Sequence, residues 1–191
     1  MDIMKQIENY KINGEPWYAA LENTGQNPIH HGEGSVWVHT HMVIDCLPAE
    51  PDFSRLSEAD KRLLTLSAVL HDIAKPICTK VDNGELVSPN HAVRGEIEAR
   101  KLIYKYGFME EIFGKLTFEE REQVCSLIRY HGLPTLFLEK PDMKRIVLRA
   151  ACELNPQLLA LLSTADVKGR ICPDQDDLLE KIALFKSLFR I

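Results

Sequence analysis

Residues 58–72, EADKRLLTLSAVLHD, constrain the fold of this chain more than any other stretch. Ser57 stands where it can cap a helix, and Asp60 falls in that helix's first turn. Leu63, Leu64, Leu66, Ala68, Val69 and Leu70 make the helix apolar nearly all round, so other elements must enclose it. It nevertheless ends in His71 and Asp72, two groups that are costly to bury without partners. A fold built around this helix has to bring partners to its C-terminal end.

The length of 191 residues suits one well-cored domain and is short for two. With no repeat and no low-complexity linker, the chain reads as a single domain over 1–191. Its expected parts are an N-terminal extension (1–34), a core (36–170) and a C-terminal helix (174–191). Helices are expected over 36–47, stopped by Pro48, and over 91–106, capped by Asn90. Thr117 and Glu120 form a capping box for a helix ending near Tyr130 or His131. Asp142 caps another up to Leu154, Pro156 opens one reaching about Asp166, and Asp174 precedes the last. Asp82-Asn83-Gly84 lies between short β-prone runs and predicts a hairpin. The first thirty-odd residues read as polar and irregular after a short helix. The fold class is therefore all-α with one short β-hairpin.

No apolar run approaches the roughly 20 residues of a membrane span, and the N-terminus lacks the layout of a signal peptide. Five scattered cysteines without a CxxC pair favour reduced thiols and a cytoplasmic setting. A formal charge of −5 argues against an extended nucleic-acid surface and leaves room for a small phosphorylated ligand held by local cations and metal. Trp37, Tyr104, Tyr106 and Phe108 read as core residues. Leu178, Ile182 and Leu188 belong to an apolar C-terminal face that either closes the core or pairs with a second copy; closure is favoured. Oligomeric state has no readable signal.

The isolated polar residues fall on inward faces. Val124, Leu127, Ile128 and His131 follow one helical stripe, as do Leu159, Leu162 and Asp166. Val36, His39, Val43 and Leu47 form a third, and His41 lies about 200° around the helix from His39. His91 opens its helix, with Gly95 one turn later leaving space beside it. One inward histidine is more often a hydrogen-bonded core residue than a ligand. Several imidazoles and two carboxylates on the ends of apolar helices would be a poor core. A divalent metal offsets the burial of carboxylates and takes neutral imidazole as ligand, so it accounts for the mixture.

The blocks "VWVHTHMVIDCL", "AVLHDIAKP", "PNHAVRGEIEA", "IRYHGLP" and "STADVKGR" occur in the order H…HD…H…H…D. In this the chain resembles the HD superfamily of metal-dependent phosphohydrolases over about residues 36–170. It is most similar to the HD domain attached to bacterial CCA-adding tRNA nucleotidyltransferases. Nothing here resembles the nucleotidyltransferase head, so nucleotide addition is not implied, and "HHGEG" has no assigned counterpart. The resemblance implies that His39, His71, Asp72 and Asp166 hold one divalent ion. It implies that His91 and His131 take a second, with Asp72 bridging. Mn, Fe, Co or Ni suits the mixed donors better than Ca or an all-oxygen Mg site. The implied activity is that of a phosphomonoesterase or phosphodiesterase on a nucleotide or nucleic-acid end, such as a 2′,3′-cyclic phosphate.

In that reading Asp72 also orients the attacking water, and Lys75 neutralises phosphate charge or is a solvated lysine after a helix end. Arg94 either binds phosphate or pairs with Glu98. Arg170 either clamps phosphate or anchors the C-terminal segment, and Gly169 lets the chain turn beside it. His30, His31 and Glu33 read as a surface loop, with a lid role as the alternative. The competing function is a metal-stabilised binding module for RNA ends or a protein partner.

Overall fold

The computed structural model describes residues 3–191, the Tyr106 side chain excepted. Helix α1 (Ile3–Asn9) runs into an antiparallel hairpin of β1 (Lys11–Ile12) and β2 (Glu15–Pro16), turned at Asn13 and Gly14, both at positive φ. This second hairpin replaces the irregular segment expected there. Its strands are two residues long, too short to show the alternation by which a strand is recognised. Trp17 follows, edge-on to Trp37 and Phe108 at 5.4 and 5.1 Å, and its indole N–H donates to the Ile7 carbonyl at 2.9 Å.

After α2 (Ala19–Glu22), a bridge between Gly25 and Ser35 folds the intervening loop back on the start of α3 (Val36–Cys46). Ser35 caps α3 by accepting from the Val38 amide at 3.3 Å, and Pro48 ends it in a 3-10 turn. The short α4 (Pro51–Ser54) leads to α5 (Glu58–Leu70), which Ser57 caps through the Asp60 amide. One turn, α6 (Lys75–Cys78), then precedes the expected hairpin of β3 (Lys80–Asp82) and β4 (Glu85–Val87). Asn83 and Gly84, at φ 50° and 85°, make its turn, and Asp82 pairs with Glu85.

Helix α7 (His91–Tyr106) begins where the sequence places it, but Asn90 is no cap. At φ 58° it cannot take the extended geometry that brings a side-chain oxygen to the first amides. Then come α8 (Glu110–Phe113), α9 (Phe118–Tyr130) with the Thr117–Glu120 capping box intact, and α10 (Leu133–Leu136). Helix α11 (Met143–Glu153) is capped by Asp142, and α12 (Pro156–Lys168) by Asn155. Helix α13 (Gln175–Phe189) closes the chain.

The core surrounds α5 and α12, and every α12 residue from Leu158 to Val167 is buried. Helices α3, α9 and α13 pack around them. Ile182 and Phe185 point α13 into this core while Leu184 and Leu188 stay exposed, so the C-terminal face closes the core. Trp37 and Phe108 are buried as expected. Tyr104 is not: it lies on the outer face of α7, where the Arg121 guanidinium sits 5.5 Å from its ring. All five cysteines are free. Among the described residues no single helix is long and apolar enough to cross a membrane.

Two glycines draw the helices together. Gly169 has φ −78°, so it is no left-handed turn. A Cβ there would come within 2.8 Å of the Val43 backbone nitrogen, which makes the glycine a close-approach point between α12 and α3. Gly169→Ala is expected to cost about 1–3 kcal/mol by overpacking. A lower denaturant midpoint at constant m would show this, and an unchanged midpoint would refute it. Gly95 does not leave space beside His91. A Cβ on it would meet Ile128 Cγ2 at 3.1 Å and the His71 carbonyl at 3.5 Å, so its lack of a side chain lets α7 close on α9 and on the end of α5.

Candidate metal centre

The end of α5 is fully enclosed: His71 and Asp72 are 0% and 2% exposed. Three further histidines meet them there: His39 from α3, His91 from the first turn of α7, and His131 just beyond α9. Each imidazole faces a main-chain carbonyl through Nδ1. His71 reaches the carbonyl of Ala68 at 2.7 Å, His91 that of Ser88 at 2.8 Å, His131 that of Ile128 at 2.7 Å and His39 that of Gly169 at 3.1 Å. A carbonyl only accepts, so Nδ1 carries the proton and donates it, leaving each neutral ring with an Nε2 lone pair. Those Nε2 atoms meet in pairs, His39 with His71 and His91 with His131, each at 3.3 Å. Two lone pairs that close call for a proton or a cation between them.

Asp72 stands between the pairs. Its Oδ2 is 3.2 Å from His71 Nε2 and 3.8 Å from His39 Nε2. Its Oδ1 is 3.5 Å from His91 Nε2 and 4.0 Å from His131 Nε2, and this buried oxygen has no hydrogen-bond partner. Two donor groups that could hold a metal therefore share Asp72: one with His39 and His71, the other with His91 and His131. Orphaned oxygen and facing lone pairs are the signature expected of a cation site.

Asp166 reaches the first pair from α12, with Oδ1 3.0 Å from His39 Nε2 and 4.0 Å from His71 Nε2. It is also held by both Nε and Nη2 of Arg170, and it belongs to neither compact donor group. Lys75 is buried, with Nζ 2.7 Å from Asp72 Oδ2 and 2.5 Å from Gln26 Oε1.

The electrostatics hold His131, His91, Asp72 and Asp166 in ligand form. Burial pushes His131 down to about 3, helped by the neighbouring His71 and His91, and burial also lowers His91. Burial opposes the charge on Asp72, but Lys75 and His71 outweigh it and hold the carboxyl well below its usual range. Arg170 and His39 do the same for Asp166. His39 goes the other way: burial lowers it, yet Asp166 and Glu33 together raise it.

The loop before α3 is not a surface loop at its centre. The Glu33 side chain is 1% exposed, and its Oε1 lies 3.0 Å from His39 Nδ1 and 2.7 Å from His31 Nδ1. Its Oε2 accepts from the Ile171 amide at 2.9 Å, while the Gly32 amide donates to the Ile171 carbonyl at 2.9 Å. Glu33 is thus the carboxylate that orients His39 from behind, the arrangement that fixes tautomer and ring angle in metal-binding histidines. It escapes periodicity because it lies in a loop. The only signal was an acid between two glycines just ahead of a cap, of which Gly34 adopts φ 105°. Gln26, which holds Lys75, carried no signal.

Of the residues singled out from sequence, His39, His71, Asp72, His91, His131, Asp166, Lys75 and Arg170 come together. Arg94 does not: its Nε pairs with Glu98 at 3.1 Å and its side chain is half exposed. His41 faces away, with Nε2 3.4 Å from Glu8. A cavity of about 630 Å³ opens over the cluster, with His31, Lys75, His91, His131 and Arg170 in its wall and Arg94 outside it.

A family model described as HD domain matches residues 40–167. It spans His71, Asp72, His91, His131 and Asp166 and begins one residue after His39. No curated protein matches the chain.

Proposed function

The chain belongs to the HD domain family, and from that premise we propose that it hydrolyses a phosphate ester of a nucleotide or a nucleic-acid end, such as a 2′,3′-cyclic phosphate. The family is one of metal-dependent phosphohydrolases, and its His/Asp cluster is present here. The observation that carries the reading is Asp72, whose two buried oxygens each face a different imidazole pair, one of them with no partner.

In this reading His39, His71, Asp72 and Asp166 would hold one divalent ion, and His91, His131 and Asp72 a second. When bound, such an ion lowers the pKa of water and draws electron density from a phosphoryl oxygen. The remaining work falls to the chain. Lys75 and Arg170, both in the cavity wall, neutralise charge on the phosphate. Gln26 holds the Lys75 ammonium at that position. Asp72 orients the attacking water as well as binding metal. Mixed imidazole and carboxylate donors suit Mn, Fe, Co or Ni, with Mg also admitted.

Elemental analysis of the purified protein, paired with a panel of nucleoside 2′-, 3′- and 5′-monophosphates and 2′,3′-cyclic phosphates, tests this. The expected result is one or two ions per chain and phosphate release, or ring opening, that stops with chelator and returns with Mn²⁺ or Co²⁺. A protein without ions, unmoved in melting temperature by Mn²⁺ or Ni²⁺ and inert on the panel, would overturn it.

A further inference from the structure

The cavity over the imidazole cluster continues well past it. At about 630 Å³ it sits mid-range among sites that hold whole small molecules, roughly 300–1,000 Å³, and a phosphate group alone would leave most of it empty. Part of its wall is apolar. Val93 and Leu136 line it while 44% and 40% exposed, with Ile146 and Leu178 beside them. Exposed apolar side chains lining a concave surface suit the flat face of a ligand.

The lining beyond the cluster also carries cations. Arg129, Arg149 and Lys140 line the cavity, from α9, α11 and the segment between α10 and α11, whereas Lys75 and Arg170 stand at the cluster. Asp174 is the one carboxylate in this wall among the described residues, in a chain whose net charge is −5. A local positive lining on a negative molecule concentrates anions there. The two arginines are also positioned in advance. Arg149 uses Nε on Glu153 Oε1 at 2.9 Å, and Arg129 uses one Nη on Glu96 Oε2 at 2.6 Å. A guanidinium has five N–H donors, so each keeps donors for a ligand. Lys140 makes no ion pair with any described residue.

Resting on the phosphohydrolase reading, we propose that the substrate is a nucleotide bearing a second phosphate besides the one hydrolysed. Its base lies on the Val93–Leu136 wall, and its second phosphate is gripped by Arg129, Arg149 and Lys140.

Equilibrium binding of adenosine 5′-monophosphate and adenosine 3′,5′-bisphosphate to the Mn²⁺-supplemented protein, measured in the cold, tests this. The bisphosphate is expected to bind about tenfold more tightly or better, because its second phosphate makes charge-assisted bonds. The double variant Lys140→Ala/Arg149→Ala, both positions being exposed and away from the core, is expected to bring the ratio close to one. Equal affinities, a ratio that survives the double variant, or no binding of either nucleotide would overturn the inference. Metal-dependent hydrolysis of monophosphates without any bisphosphate advantage would sink it and leave the phosphohydrolase reading intact. A bisphosphate preference in a protein that hydrolyses nothing would overturn the phosphohydrolase reading and leave only the phosphate grip of Arg129, Arg149 and Lys140 standing.

Discussion

Asp72→Ala is expected to strip divalent metal from the protein to background and to lower phosphate-ester hydrolysis by on the order of 10³-fold. Among the described residues no other side chain offers an oxygen to both imidazole pairs: Oδ2 faces His39 and His71, Oδ1 faces His91 and His131. Removing it leaves the His91–His131 pair with no carboxylate to offset a dication's charge and the His39–His71 pair with Asp166 alone, itself engaged by Arg170. It also leaves the buried Lys75 ammonium with Gln26 alone, which costs stability on its own account. Asp72→Asn therefore accompanies it. The amide keeps the shape and an acceptor for Lys75 and removes only the charge, so it is expected to fold normally and still lose metal. His41→Ala is the counterpart that changes neither, because that imidazole sits against Glu8 and Trp37 on the other side of α3. Metal content by elemental analysis and initial rates read all three variants. Full metal occupancy in folded Asp72→Asn would end the shared-ligand account.

Glu33→Ala is expected to weaken metal binding by about 10–100-fold while leaving the fold in place. The carboxylate never enters the donor groups around Asp72; it acts through His39, with its Oε1 3.0 Å from that ring's Nδ1. The loss stays partial because the Gly169 carbonyl also accepts from that nitrogen at 3.1 Å and still holds the tautomer. Glu33→Gln separates the two contributions. It can accept from His39 but brings no charge, so an affinity midway between wild type and Glu33→Ala would show that charge and orientation both count. Competition between the protein and a chelator for Ni²⁺ or Mn²⁺ gives the numbers. Equal metal affinity in all three proteins would reduce Glu33 to a tie between the loop and Ile171.

Much of this architecture can be read along the chain. The all-round apolar helix ending in His71 and Asp72, the Thr117–Glu120 capping box and the Asn83-Gly84 turn are local features, and each appears where its residues predict it. The inward stripes carrying His39, His131 and Asp166 are likewise a matter of 3.6-residue periodicity, and those side chains are buried. Two of the errors share a cause. Asn90 has a capping side chain but a left-handed backbone, and Tyr104 is aromatic but on an outward face. Residue type alone does not report either condition.

Periodicity and capping settle which residues face inward, because neighbours three or four apart on a helix share a side whatever surrounds them. They do not settle which inward residues meet. That came from closure of the chain: Gly95 and Gly169 let α7 and α12 approach within contact of α5 and α3, and the loop bonded to Ile171 lays Glu33 behind His39, 138 residues from its partner amide. A carboxylate in a loop has no repeating neighbour to betray its direction, so its burial emerges only when distant backbone supplies its hydrogen bonds.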